Sequence, residues 1–345
     1  RVKAFLRSGH DNTFLADDHF HDVEIPKVIY LKNWSAKNKF LRPFIFLKNI
    51  FSLLSVLRSG NYDILHAYNP SNYLCWIASI ISNKPIVVIT MGGDVLFEQH
   101  KCLFWYQKIL VKLTLENSSL AIAKSPYIKK RVQQLCDTNV KVFSCIFGVS
   151  GDFLLKKNTN KKGTKELIFL SLRPIKSFYN IDKIIDVIHH IKKMQIKVKL
   201  KIFTLAPDLY YLSFLKEKVN KLKLKSNISF VPSTDKPEDL IEEYSRAHFT
   251  IALPPSDGIP QSALEGMALG CVPILPKSDI YSNIFDNSNS LLVSGNANKI
   301  SEHILKSIRK PNRVKDIAET GKYFVQQYGS LESNIRKINE NVKNI

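Results

Sequence analysis

The segment Leu253–Pro273, LPPSDGIPQSALEGMALGCVP, constrains the fold more than any other part of the chain. It reads as the end of a buried strand, a tight polar loop, a helix and the start of another strand. Phe249–Leu253 is a short apolar run closed by Pro254 and Pro255, the pattern of a central strand in a parallel sheet. Ser256, Asp257 and Gly258 are turn formers. Pro260 suits a first helical turn, where the N–H it lacks has no partner to lose. Leu264, Met267, Ala268 and Cys271 recur at helical spacing and define an apolar face, and Gly270 can end the helix. In an α/β sheet, the loop from a strand's carboxyl end into a helix is where ligands bind. The helix start adds N–H groups and partial positive charge, which suit a phosphate.

Asp257 and Glu265 flank this turn, with seven residues between them. With the helix beginning near Pro260, Glu265 lies too deep to cap it. Its carboxylate can then accept two hydrogen bonds from a ribose diol, as the acidic residue of dinucleotide folds does. The rival arrangement makes Ser262 the N-cap and Glu265 its capping-box partner. Pro260 argues for the earlier start and so for the ligand role. Asp257 either faces the group attached to the far phosphate or closes an Asx turn, and the two roles are compatible.

This stretch resembles the signature of retaining, nucleotide-sugar-dependent glycosyltransferases of the two-domain, glycogen-phosphorylase-like fold (GT-B), in the large family numbered four. The pattern is an acid, Gly-x-Pro, then Leu-Glu-x-Met-Ala-x-Gly-x-Pro. It is met by Asp257, Gly258, Pro260, Leu264, Glu265, Met267, Ala268, Gly270 and Pro273, with Asp where the first acid is commonly Glu. The resemblance covers nearly the whole chain, strongly over 165–295 and weakly over 1–110. It implies an α/β architecture of two Rossmann-like doubly wound domains facing across a cleft. Residues 1–160 would form the acceptor-side domain and its linker, 161–325 the nucleotide-sugar domain, and 326–345 a terminal helix crossing back to the first domain. It also implies metal-independent transfer with retention, with Ile259 beside Gly258 in the donor loop. A nucleoside-diphosphate sugar, uridine- or guanosine-linked, is the co-substrate and no other cofactor is expected.

At 345 residues the chain exceeds one ordinary core, so two domains are expected on length alone. Cysteines at 75, 102, 136, 145 and 271 show no CxxC spacing and read as packed thiols of a reducing compartment. Net charge is +20, which attracts anions. No zinc-finger spacing or RNA-binding aromatic signature accompanies it, which argues against nucleic acid. The excess is either a solvated Lys-rich surface beside anionic ligands or a face that docks on anionic membrane. No signal peptide is visible and no apolar run approaches the ~18–20 residues of a span. The expected place is the cytoplasm, peripheral on the inner face of the cell membrane.

Val2–Leu6 followed by Ser8, Gly9 and His10 reads as a helix end, where the resembling family has Leu-x-x-x-Gly-His. The strand and glycine-rich loop that precede it in the family have no counterpart. The chain is therefore expected to begin inside its first βα unit, which puts activity of this form in question. The polar run Asp17–Asp22 holds His19 and His21 but is one contiguous stretch, unlike metal sites that draw ligands from several elements. Lys37–Arg58 is basic and Phe-rich, either an interfacial helix or a helix buried against the sheet, and its place before the next strand favours burial. Strands are expected at Asp63–His66, Lys84–Thr90, Asn117–Lys124 and Val140–Phe147, with Ser125 opening a helix at Pro126. The loops after the first two bring His66 and then Gly92, Gly93 and Asp94 to the acceptor side. Gly92 and Gly93 let backbone approach a substrate. Asp94 binds sugar hydroxyls or caps a turn, and a lone His such as His66 at a strand end is more often structural. No His stands at the family's usual position after the Lys84–Thr90 strand, where Met91 and Gly92 are found.

Ser150–Glu166 is polar and aperiodic, the best linker candidate. The Leu167–Leu172 strand leads to Arg173, which matches the family's phosphate-binding Arg. A diphosphate leaving group develops charge that fixed cations neutralise without a metal. Lys176 either supplies a second charge or is a surface residue, since the family's following Lys-Gly reads Tyr179-Asn180 here. Further strands are expected at Val198–Phe203, Asn227–Val231 and Ser290–Ser294. Helices are expected at Ile181–Ile191, Pro237–Arg246, Ala297–Lys310 and through Val314–Ile345. Backbone near Val231 is where the resemblance puts base reading. Asp257, Asp94 and Arg173 are the candidate catalytic residues. The implied activity is sugar transfer to a hydroxyl of a growing surface glycan, on a glycan or lipid-linked acceptor. The rivals are a nucleotide-sugar epimerase of the same architecture and a non-catalytic nucleotide-sugar-binding module.

Overall fold

The computed structural model describes residues 14–17, 28–31, 42–59, 62–96, 105–155, 166–234 and 236–345. They fall into two units, Arg1–Cys145 with Glu332–Ile345, and Ile146–Leu331.

In the first unit, β1 (Phe14–Asp17) and β2 (Val28–Leu31) pair in parallel. A separate parallel sheet runs β3 (Leu65–Tyr68), β4 (Ile86–Ile89), β5 (Leu120–Ala123), β6 (Val142–Ser144), in that spatial order. β4 and β5 read IVVI and LAIA and are buried at every residue, as strands covered on both faces must be. Helices α1 (Arg42–Ser59), α2 (Tyr73–Ile81), α3 (Trp105–Glu116) and α4 (Pro126–Leu135) alternate with these strands. Ser125 caps α4 by accepting from Ile128 N, with Pro126 in the first turn, as its sequence indicates. The terminal helix Leu331–Val342 buries Ile335 and Ile338, and its Asn334 carbonyl accepts the Cys145 thiol at 3.8 Å.

The second unit holds α5 (Gly151–Leu155), β7 (Leu167–Ser171), α6 (Ile181–Lys193), β8 (Val198–Thr204), α7 (Leu209–Lys221), β9 (Ile228–Pro232) and α8 (Pro237–Arg246). It continues with β10 (Phe249–Ile251), α9 (Gln261–Ala268), β11 (Val272–Pro276), β12 (Leu291–Val293), α10 (Ala297–Ile308) and α11 (Pro311–Tyr328). All its strands are parallel, ordered β12-β11-β10-β7-β8-β9. Reading from β9, this is the doubly wound order 3-2-1-4-5-6. The chain lays β7, β8 and β9 outward in one direction, then returns so that β10 pairs with the other edge of β7. Phe169 and Phe249 stack across that pair at 5.0 Å between centroids. α6 buries Ile181, Ile184, Ile185, Val187, Ile188 and Ile191, an apolar stripe at helical spacing that closes one face of the sheet.

Three expectations change. The division between units falls at Cys145–Ile146 rather than near residue 160, because part of the expected linker is the helix α5, whose Phe153 is buried against the Tyr244 ring at 6.1 Å. The expected strand through Val140–Phe147 ends at Ser144. Gly148 then adopts φ +79°, and Val149 pairs with Ser330. The long terminal helical run breaks at Gly329, whose carbonyl accepts from Val149 N at 2.7 Å. The helix end near Gly9, most of the Asp17–Asp22 run and the start of Lys37–Arg58 lie outside the described residues.

Candidate functional site

The switch point of the second sheet lies between β7 and β10, and the loops leaving their carboxyl ends carry Arg173 and Asp257. An Arg173 terminal N–H donates to Asp257 Oδ2, an ion pair with both side chains more than four-fifths buried. The guanidinium lies over the Tyr179 ring, 4.6 Å from its centroid. Asn180 follows in the left-handed region, φ 51°, which Asn tolerates better than other side chains. Its Nδ2 donates to the Leu253 carbonyl at 2.9 Å, tying the β7 loop to the end of the β10 run.

α9 begins at Gln261 with Pro260 as N-cap residue, so the capping box based on Ser262 does not form. The first turn therefore presents N–H groups that the helix cannot satisfy itself. Gly258 and Pro260 are buried and Ile259 half-buried in the loop before it. The helix ends in a Schellman motif: Cys271 N donates to Gly266 O and Gly270 N to Met267 O, with Gly270 at φ 74°. Within α9 only Gln261 and Glu265 are not buried, one turn apart on one face. Gln261 Nε2 donates to the Gly148 carbonyl at 2.7 Å. Glu265 Oε2 accepts from the Tyr244 hydroxyl at 2.9 Å. Tyr244 is fully buried, and burial followed by the Glu265 charge pushes its pKa well above the ordinary tyrosine value, so it stays a donor. The charge of Arg173 acts on the same hydroxyl in the opposite sense, which ties Glu265, Tyr244 and Arg173 into one electrostatic neighbourhood.

Lys176 is exposed at the head of a short 3₁₀ turn, Ser177–Tyr179. Val231 lies in β9, and its carbonyl accepts the Thr204 hydroxyl at 3.0 Å.

In the first unit, Asp94 is 4% exposed. Its Oδ2 accepts from Met91 N at 2.8 Å and its Oδ1 from Gly92 N at 2.7 Å. Burial raises its pKa, while those N–H groups and the Lys124 charge pull the other way. Asp94 thus caps the turn through the Met91 and Gly92 N–H groups, the second of the two roles its sequence offers. Gly92, at φ 111°, is buried and its carbonyl accepts from Val95 N and Leu96 N, while Gly93 is half-buried. His66 is half-buried inside β3, opposite Val87, rather than at a strand end. Among the described residues no group of three or more His, Cys, Asp or Glu is placed to hold a metal.

Sequence reasoning missed Tyr244. It sits one helical turn after Ile241 on the buried face of α8, where an aromatic signals packing and nothing more.

Two parallel α/β units in one chain, the second doubly wound, are the architecture of the GT-B class. The family model described as "Glycosyl transferases group 1" matches residues 152–324, half of the chain, and the chain belongs to that family. A second model, "Glycosyl transferase 4-like", matches residues 2–125. No curated protein sequence is matched. Among solved structures, the chain is similar to sucrose-phosphate synthase from Thermosynechococcus elongatus, with 16% identity and a TM-score of 0.81 over 99% of this chain and 91% of that one. It is also similar to Anabaena HepE in complex with UDP and glucose, at 15% identity and TM-score 0.74, covering 92% and 86%. A third is S. aureus TarM, in complex with Fondaparinux, alpha-GlcNAc-glycerol and UDP, at 15% identity and TM-score 0.69, covering 85% and 58%.

Proposed function

We propose that this chain is a retaining, metal-independent glycosyltransferase that moves a sugar from a nucleoside-diphosphate sugar to a hydroxyl of a growing surface glycan. The observation that carries this reading is the Arg173–Asp257 pair at the switch point, beside the start of α9. Arg173 holds the diphosphate and neutralises the charge that develops on it as the glycosidic bond breaks. The N–H groups of the α9 first turn add fixed partial charge to the same leaving group. Asp257 faces the sugar attached to the far phosphate once Arg173 turns to the diphosphate, and Glu265 holds the ribose diol. The diphosphate itself helps take the proton from the incoming hydroxyl, so no protein base is required. The UDP and UDP-glucose seen bound to HepE support a uridine-linked donor.

The acceptor is a glycan or lipid-linked glycan at an anionic membrane surface. This is supported by α1, which buries Asn49, Leu53 and Leu57 on one face and leaves Phe44, Leu47 and Phe51 exposed on another, with Lys48 and Arg58 also exposed.

The test is a panel of nucleotide sugars screened by thermal shift. A specific donor raises the melting temperature by mass action, by about 2.7 kcal/mol of stability at one hundred times its Kd. Product is then sought with and without added glycan acceptor. Product that needs acceptor and keeps the anomeric configuration supports transfer. An altered sugar nucleotide formed without acceptor supports the epimerase, and donor binding with neither product supports the binding module. No shift with any member of the panel overturns all three.

A further inference from the structure

Three hydroxyls at the carboxyl ends of adjacent strands in the second unit are buried and have no hydrogen-bond partner among the described residues. Ser171 ends β7, Ser256 follows β10, and Tyr281 lies in the turn after β11; they are 0, 2 and 1% exposed. Arg173 Nε is a fourth buried donor without a partner among the described residues. A buried hydroxyl normally finds an acceptor, and one left alone loses its bonds to water for nothing in return. Ser171 and Ser256 stand two residues before Arg173 and one before Asp257, and Tyr281 lies within reach of both charges of that pair. The charges of Asp257 and Arg173 and the Tyr179 hydroxyl all act on Tyr281, and burial holds its pKa well above the ordinary value, so its proton stays on. Arg173 is paired with Asp257. Tyr179 and Asn180 stand where a second cation would follow, and Lys176 is exposed. Besides the Arg173 charge and the α9 N–H groups, an arriving diphosphate meets hydroxyl donors that lack acceptors among the described residues.

We propose that Tyr281 donates a hydrogen bond to the diphosphate of the donor nucleotide, with Ser171 and Ser256 completing a hydroxyl-lined anion site in place of a second cation. This rests on the donor-site reading given above and adds residues that reading does not contain. In the free protein the Tyr281 hydroxyl is costly, because it is desolvated and unpaired. In the complex it is repaid by a bond to a charged oxygen, which is stronger than a neutral one.

The test is Tyr281→Phe, which keeps the ring and its edge-on contact with Phe285 at 5.9 Å. Melting temperature of the free protein and affinity for UDP, GDP and uridine are measured on wild type and variant. The variant should melt at or above the wild-type temperature. It should bind the preferred nucleoside diphosphate about ten- to a hundredfold more weakly, and uridine equally well. A wild type that binds neither UDP nor GDP ends the donor-site reading and this inference together. A wild type that binds one of them, with Tyr281→Phe binding it equally, ends this inference alone. A lower melting temperature, or an equal loss for uridine, assigns the hydroxyl to packing and also overturns it. Ser256→Ala is the second variant and should show the same pair of opposed effects.

Discussion

Glu265 does not stand alone on its helix. The Tyr244 hydroxyl donates to Oε2 from a neighbouring helix and sets the direction in which the carboxylate is held. Glu265→Ala should weaken nucleoside-diphosphate binding about a hundredfold, the equivalent of two hydrogen bonds to a charged group. Tyr244→Phe should weaken it about three- to tenfold, since the acid remains but loses its orientation. Titration with UDP and its 2′-deoxy analogue separates the two effects. Wild type should prefer the ribose form, and the preference should shrink in Tyr244→Phe and vanish in Glu265→Ala. An unchanged preference in Glu265→Ala would remove the ribose role. At this scale the position of Glu265 within its helix is legible from the chain, because Pro260 dates the helix start and leaves the acid too deep to cap. Tyr244 is not legible, since it lies twenty-one residues away on another helix and reads as core. Asp94 offers two roles in sequence, sugar ligand or turn cap, and only the tertiary structure shows the backbone N–H groups bonded to its buried carboxylate.

Among the elements, α9 is placed by its two ends and by what lies beneath it. A Cβ at Gly266 would come 2.6 Å from the Thr250 methyl, so this helix sits against β10 as closely as its glycine allows. Gly270 closes it from the left-handed region, and Gly270→Ala should cost about 1 kcal/mol in urea unfolding. Gly148 is under a harder constraint. It combines φ +79° with a Cβ position 2.1 Å from the Gly329 carbonyl oxygen, and its own carbonyl accepts the Gln261 side chain. Gly148→Ala should therefore cost about 3 kcal/mol or more. Urea melts give both numbers, and equal losses for the two substitutions would show that the Gly329 contact relaxes freely. Start and stop signals make most of these elements readable in advance: Ser125-Pro126, Pro237 and Gly270 each mark a boundary that the structure keeps to within a residue or two. The helix α5 escapes such reading. It is five residues long, too short for a periodic signal, and owes its form to Phe153 packing on Tyr244.

Over the whole molecule the dominant quantity is a net charge of +20. No helix among the described residues is long and apolar enough to cross a membrane. The first unit nevertheless exposes large apolar side chains on α1, with Phe44 at 71% and Phe51 at 68%. In the proposed docking on an anionic surface, charge would contribute about 1 kcal/mol per basic residue near it, and the aromatics would add area that leaves water. The protein should co-sediment with vesicles containing anionic lipid and not with purely zwitterionic ones. Half a molar salt should weaken that binding, and Phe44→Ser with Phe51→Ser should reduce it without lowering donor affinity. Equal binding to both vesicle types would refute the charge term.

What the amino-acid order alone decides here is local. A strand, a polar turn, a helix with its first residues and its glycine stop follow from contiguous residues, because capping, turn chemistry and apolar spacing act over a few positions. Which side chains then meet is decided elsewhere. Strand order sets β10 against β7 and so brings Asp257 to Arg173 across eighty-four residues of chain. The same packing brings Tyr244 to Glu265, and it leaves the Tyr281 hydroxyl buried within reach of the Arg173 and Asp257 charges, without a partner among the described residues. Sheet order and burial are properties of the whole packed unit, and no short window of sequence contains them.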